Sequence, residues 1–285
     1  MRTIFIKFID KTRNVFSKYK PDYELRWIRK IHDFVMGLLL PKFVVQHGFK
    51  IFIDKEDSVG ISRGRSYDDL EVRILDQYIR EGDKVLDAGA NIGYHTLHFA
   101  RKVGNDGLVI AVEPFPETGA ILAKNIIENG FSHNVRVIIA ACSSKQDFMP
   151  LQISSEEGNP LNPASLKIGT RGKDKFYVHT LTVDQLCATF DFAKIDVEGQ
   201  EYQVLLGMGN VFKNSPNLKI LLEFYPNLLD EVGDNAKEML KFLEKNGFKF
   251  IDIRFNESEF CSITELLARY TVENHGMTNL LCVRR

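Results

Sequence analysis

Twelve consecutive residues, Val85-Leu86-Asp87-Ala88-Gly89-Ala90-Asn91-Ile92-Gly93-Tyr94-His95-Thr96, constrain this chain more than any other stretch. Val85 to Ala88 has the character of a buried strand, a glycine turn follows, and a helix is expected from Tyr94. Gly89 and Gly93 permit backbone conformations that a Cβ forbids, and they let a ligand lie close to the main chain. The helix leaves unpaired N–H groups at the turn, and Asp87 brings a carboxylate to the same crevice. Such a turn, at the carboxyl edge of a parallel sheet, is where nucleotide-like cofactors bind.

The rest of the chain fits that frame. Strand-like and helix-like stretches alternate from Glu81 onward, as in a parallel sheet wrapped by helices. Strands are expected at Leu108–Val112, Val135–Ala141, Phe192–Val197, Leu218–Phe224, Phe248–Ile253 and Asn279–Val283, and helices at Pro116–Asn129, from Glu201, and at Ala236–Lys245. Before this core, residues 43–62 alternate as strands do, with Phe49, Ile51 and Ile53 on one face. Ser66-Tyr67-Asp68-Asp69 opens a helix reaching about Ile79. Residues 143–176 break the rhythm with polar, Gly- and Pro-containing sequence. A long insertion at that place is more often functional than idle, so a lid over a polar acceptor and a solvated hairpin are the two readings.

Charge divides the chain. Residues 1–42 carry ten Lys/Arg against four Asp/Glu, a balance of +6, so the formal net charge of −1 leaves −7 on the remainder. That balance argues against a general nucleic-acid binder. A basic, amphipathic helical arm over 1–42 would suit either packing on the domain or peripheral contact with anionic lipid headgroups. The apolar run Phe34–Leu40 ends at Pro41, short of the roughly 20 residues a bilayer span needs, and no small-residue cleavage site follows it. Cys142, Cys187, Cys261 and Cys282 are widely spaced without a C-x-x-C pair, which fits mostly buried thiols in a reducing cytoplasm.

The turn reads D-x-G-x-N-x-G, without the third glycine of the G-x-G-x-x-G that brings a helix against a pyrophosphate. Glu113, at the end of the next strand, is placed to accept both ribose hydroxyls of an adenosine. NAD and S-adenosylmethionine (SAM) sites share that carboxylate, and a cofactor without phosphates fits this turn better. A nucleotide-dependent oxidoreductase and a catalytically silent interaction module are the competing readings.

Val85–Thr96, the Glu113-Pro114 step, Lys194-Ile195-Asp196-Val197-Glu198-Gly199-Gln200-Glu201 and Leu221-Leu222-Glu223-Phe224-Tyr225-Pro226 together resemble the FkbM family of SAM-dependent methyltransferases. The resemblance covers roughly residues 45–255. It implies a seven-stranded, mostly parallel, Rossmann-like class I methyltransferase sheet with helices on both faces, its seventh strand antiparallel between the fifth and sixth. It also implies methyl transfer to a hydroxyl of a sugar, glycolipid or natural-product acceptor. By position, Asp87, Gly89, Asn91 and Gly93 would hold the methionine end of SAM and Glu113 its ribose, with Ala141 and Cys142 near the adenine. Tyr67-Asp68-Asp69 departs from the family's Tyr-Glu-Pro.

Two carboxylates, Asp196 and Glu198, flank the end of the fourth strand, where they could orient an acceptor hydroxyl and take its proton. The structural alternative is that Glu198 caps the next helix and Asp196 braces the glycine turn. Glu223, ending the fifth strand, is a further candidate base. His95 at the helix start is a base, a substrate contact or a packing residue. His98, three residues on, reads as packing; a histidine pair could clip a metal, but no further ligand lies near in sequence. Lys194 is expected to pair with a neighbouring carboxylate.

Overall fold

The computed structural model describes residues 41–54, 57, 60–63, 69–154, 165–168, 175–255 and 258–284. The expected N-terminal helices and the Ser66–Asp68 cap lie outside the described residues. Strands β1 (Phe43–Gln46) and β2 (Phe49–Phe52) form an antiparallel hairpin. His47 and Gly48 turn it with φ of 50° and 81°, the left-handed pair that a two-residue turn between twisted strands requires. Helix α1 (Asp69–Tyr78) then leads to β3 (Lys84–Ala88), α2 (Tyr94–Val103), β4 (Leu108–Val112), α3 (Pro116–Glu128) and β5 (Val135–Ile138).

Four strands follow: β6 (Ala141–Cys142), β7 (Asp147–Ser154), β8 (Ser165–Ile168) and β9 (Lys175–Leu181). The chain continues through α4 (Val183–Leu186), β10 (Phe192–Ile195), α5 (Glu201–Leu206), α6 (Gly209–Asn214), β11 (Lys219–Phe224), α7 (Pro226–Glu231) and α8 (Ala236–Lys245). It ends with β12 (Phe248–Asp252), β13 (Phe260–Cys261), α9 (Ile263–Arg269) and β14 (Thr278–Arg284).

The central sheet has the order β13-β12-β14-β11-β10-β3-β4-β5. Strand β14 is antiparallel to both β11 and β12, and β11, β10, β3, β4 and β5 are parallel. This is the class I methyltransferase sheet, extended by an eighth strand, Phe260–Cys261, which the sequence does not announce. Val109, Ile110, Ala111 and Val112 are all buried, as expected of strands covered by helices on both faces. Alternate residues feed two cores. Leu86, Ala88, Ala193, Ile195 and Leu222 enter one, and Val85, Val109, Ala111, Phe192 and Leu221 enter the other beside α2.

Two expectations change. The strand expected over Val135–Ala141 ends at Ile138, and Ala141–Cys142 instead pairs in parallel with Thr180–Leu181 in a second sheet, β6-β9-β7-β8. The expected insertion is therefore built, within its described residues, as antiparallel strands. Cys142 and Cys282 are buried and all four cysteines are free thiols; burial alone pushes the Cys142 thiol up to about 12. Among the described residues no helix is long and apolar enough to cross a membrane.

The hairpin is tied to α3 by two asparagines a helical turn apart. Asn125 accepts from the Phe52 N–H at 2.7 Å and donates to the carbonyls of Phe52 and Ile92 at 3.0 and 2.7 Å. Asn129 accepts from the Lys50 N–H and donates to the Lys50 carbonyl. Each amide pairs with the strand's edge as a neighbouring strand would. Asn125→Ala strands buried backbone groups at both ends, and the expected loss is about 2 kcal/mol of unfolding free energy in a urea titration.

Candidate active site

Strands β4 and β5 lie to one side of β3, and β10 and β11 to the other. The chain reverses its direction of travel across the sheet between β3 and β10, and the crevice at such a switch point opens at the carboxyl ends of the strands. The sheet register states what lines it. Lys194 of β10 is paired with Asp87 of β3 on one side and Leu221 of β11 on the other. One pleat further, Asp196 follows β10 with its N–H on the Ala88 carbonyl. Continuing that register sets it between Gly89 and Glu223. On the far side of β3, the Gly89 N–H donates to the Val112 carbonyl, which brings Glu113 alongside. Glu113, Asp196 and Glu223 thus form a rim, with Asp87 and Lys194 one layer beneath.

Each group has a distinct setting. Asp87 is fully buried; Thr96 Oγ donates to its Oδ2 at 2.6 Å, while Oδ1 is enclosed with no hydrogen-bond partner among the described residues. Asp87 therefore braces the start of α2 from below and keeps one oxygen open. Glu113 is buried and accepts the N–H groups of Asn91 and Phe115, both at 2.9 Å, so it holds the tip of the glycine turn. Lys194 is buried and donates to Asp196 Oδ2 at 2.7 Å, as anticipated, while the Asp196 side chain stays about a third exposed. Glu223 Oε2 is enclosed and, like Asp87 Oδ1, has no partner among the described residues. Burial first, then the carboxylates of Asp196, Glu201 and Glu198, hold Glu223 well above the usual carboxylate range.

Both glycines of the turn hold the left-handed conformations expected of them. A Cβ on Gly89, at φ 81°, would collide with the Asp196 carbonyl, and one on Gly93, at φ 92°, with the Leu122 side chain of α3. Both let protein segments close on each other, which shapes the turn before any ligand arrives. Asn91, at φ 51°, is the exposed residue of the turn.

The turn after β10 folds onto Glu201: the N–H groups of Val197 and Gly199 donate to Glu201 Oε1 at 3.0 and 3.1 Å. Glu198 sits between them at φ 53°. The available signal was a carboxylate in the first turn of α5 two residues after a glycine, where it can fold back onto unpaired N–H groups.

His95 is buried in the first turn of α2, in ring contact with Tyr94 at 5.4 Å and stacked near Phe99 at 6.3 Å. His98 lies among Phe49, His47 and Tyr94, beside Arg101. Burial and the Arg101 charge bring it down to about 3, so it is a neutral packing ring. Among the described residues no group of three His, Cys, Asp or Glu side chains is arranged to hold a metal. Ala141 and Cys142 are both buried just beyond the end of β5, with Cys142 in the first core.

Burial raises both Glu113 and Glu201 from 4.5 to about 7. Their folded-state pKa values exceed the unfolded ones, so this stability is present below 4.5 and lost as pH rises through about 7. For Glu113 the difference reaches about 3 kcal/mol at most. Without ligand, the protein is expected to melt higher near pH 5 than near pH 8 in scanning calorimetry. A bound cation, which favours the carboxylate, should narrow the gap; a higher melting temperature at pH 8 would remove Glu113 from this role.

The site suits SAM on its own geometry. Two enclosed carboxyl oxygens with no partner among the described residues, Asp87 Oδ1 and Glu223 Oε2, lie on the same face as buried Lys194. A ligand bearing a sulfonium and an ammonium supplies the missing positive charge.

Comparison with known proteins points the same way. The family model of the methyltransferase FkbM domain matches residues 87–250. The chain is 28% identical over 180 residues to the hexuronic acid methyltransferase AglP of Haloferax volcanii, covering 61% of this chain and 66% of that protein. It is 43% identical over 61 residues to protein-L-isoaspartate O-methyltransferase 1 of Archaeoglobus fulgidus, covering 21% of this chain and 28% of that protein. The match thus spans less than two thirds of either relative. A solved structure of a putative rRNA-methylase from Clostridium thermocellum superposes with a TM-score of 0.46 at 13% identity, covering 77% of this chain and 97% of that one. The family match takes in the glycine turn, Glu113, Asp196 and Glu223 and more than half of the chain, so the protein belongs to the FkbM family of methyltransferases, with S-adenosylmethionine as its cofactor.

Proposed function

We propose that this protein transfers a methyl group to a hydroxyl oxygen of a sugar, glycolipid or related natural-product acceptor. The observation that carries this reading is the placement of Asp196 beside Glu223 at the carboxyl ends of β10 and β11, next to the cofactor turn. A hydroxyl is a weak nucleophile until something accepts its proton. SAM, when bound, supplies a methyl group activated by a positive sulfonium. Asp196, steadied by Lys194 and open on its exposed side, receives the hydroxyl proton. Glu198, on its left-handed turn, orients the acceptor, and the Glu223 carboxyl stands behind both. His95, in the first turn of α2, stays a packing residue in this scheme.

Glu113 accepts the ribose hydroxyls. Asp87, Gly89, Asn91 and Gly93 form the methionine end, and Ala141 and Cys142 border the adenine. Residues 43–285 make up the methyltransferase domain, with 143–176 flanking the acceptor, and the basic segment 1–42 leads the domain to an anionic membrane surface on the cytoplasmic side. The name of the Haloferax relative supports a sugar acceptor.

The test is to incubate the protein with methyl-labelled SAM and a panel of hexoses, hexuronic acids and lipid-linked glycans. Label on a hydroxyl oxygen, as a methyl ether stable to mild base, supports the reading; label on nitrogen or in a base-labile ester overturns it. Deleting residues 1–42 should abolish binding to anionic vesicles, and unchanged binding would remove the arm from the scheme.

A further inference from the structure

The face gathers more carboxyl groups than catalysis by one base needs. Asp87 from β3, Glu113 from β4, Asp196 after β10 and Glu223 from β11 surround it, with Glu198 and Glu201 on the adjoining turn. Against these carboxylates, the cation that the sheet places among them is Lys194. It is buried, paired in register with Asp87, and bonded to Asp196 Oδ2 at 2.7 Å.

A buried lysine is held at some cost in desolvation, and forming one ion pair with Asp196 does not require it to sit in the layer beneath the rim. Its position matters for a cofactor whose charge changes during the reaction. SAM enters with a positive sulfonium and leaves as S-adenosylhomocysteine (SAH), neutral at sulfur. An uncompensated ring of carboxylates would bind the entering cation too strongly, and stabilisation that is lost on the way to the transition state slows the transfer.

We propose that Lys194 sets the balance between SAM and SAH: its buried charge offsets the carboxylates of the β3, β4, β10 and β11 ends and limits the preference of the site for the sulfonium cation. The inference rests on the assignment of this face to the cofactor. Lys194 acts through the field of the site and through Asp196, so it is a specificity-determining residue rather than a catalytic one.

Isothermal titration of Lys194→Met with SAM and with SAH, against the unmodified protein, tests it. Titrations are run over a series of pH values, so that proton uptake by Glu223, held above the usual range by burial, is separated from loss of the lysine charge. The ratio of Kd for SAH to Kd for SAM should rise about tenfold or more, since one buried charge has been removed near the sulfur. A positively charged analogue with an amine in place of the sulfonium should follow SAM, and Lys194→Arg should keep the original ratio. If Lys194→Met does not fold, Lys194→Gln retains a donor for Asp196 without the charge. Both ligands bound at an unchanged ratio overturns the role of Lys194. Failure of the unmodified protein to bind either ligand overturns the cofactor assignment itself, a different result.

Discussion

Gly89→Ala is expected to cost about 4 kcal/mol or more of unfolding free energy and to abolish measurable SAM binding. Two effects combine. The residue holds φ at 81°, where a Cβ is strained, and that Cβ would meet the backbone carbonyl of Asp196. A backbone atom at the end of a parallel strand cannot swing aside as a side-chain tip can. Relief requires β3 and β10 to separate, and that separation would displace Asp196 and break its N–H bond to the Ala88 carbonyl. Stability is measured by chemical denaturation and binding by calorimetry, at a temperature where the variant is still folded. A variant with near-normal stability would show that the strand ends can separate freely. Gly48→Ala is the control: it also has a positive φ, but its Cβ would meet nothing, so only the conformational strain of about 1 kcal/mol is expected.

Asp196→Asn is expected to lower turnover by 10²–10⁴ and to weaken SAM binding far less, because the Asp196 carboxylate is about a third exposed and screened by solvent. Asparagine keeps the shape of the side chain and an acceptor for Lys194 Nζ, but it cannot take a proton. The companion variant, Glu223→Gln, separates the two carboxylates. If Glu223 supplies only background charge, its loss changes SAM affinity more than kcat. If Glu223 is the base, the outcomes exchange. Equal turnover by Asp196→Asn and the unmodified protein would falsify the assignment of Asp196.

Much of this architecture is legible in the residues. Apolar runs closed by Asp87, Glu113 and Glu223 mark strands whose carboxyl ends carry the chemistry, because a charged residue ending a buried strand marks where the sheet meets solvent or ligand. The helix expected at Ala236–Lys245 is present with those bounds, and the Asn235 side chain caps it by accepting from the Glu238 N–H. What could not be read depends on contacts between distant segments. The two-residue strand Phe260–Cys261 gains its identity only by pairing with Phe250 and Ile251. Ala141 falls outside the third strand because it pairs with Thr180, some forty residues later. Gly89 and Gly93 were identifiable as special, but what each approaches, the Asp196 carbonyl and Leu122, is fixed by packing. Glu201 was visible as a helix-start carboxylate, yet its choice of the preceding turn over solvent emerges only once α5 is seated.

The asparagine pair on α3 has a mechanical consequence. The Asn125 amide holds the Phe52 strand edge with one set of bonds and the carbonyl of Ile92, inside the cofactor turn, with another. A pull on the chain ahead of Phe43 is therefore carried through the hairpin to Asn125 and Asn129, and by Asn125 on to the turn. Tethering this protein by its leading segment, to a surface, a membrane or a fusion partner, loads the cofactor site along a path only two hydrogen bonds long. A tether at the opposite end, beyond Arg284, pulls first on carbonyls of Asn246, Phe212 and Ser215 and leaves that path slack.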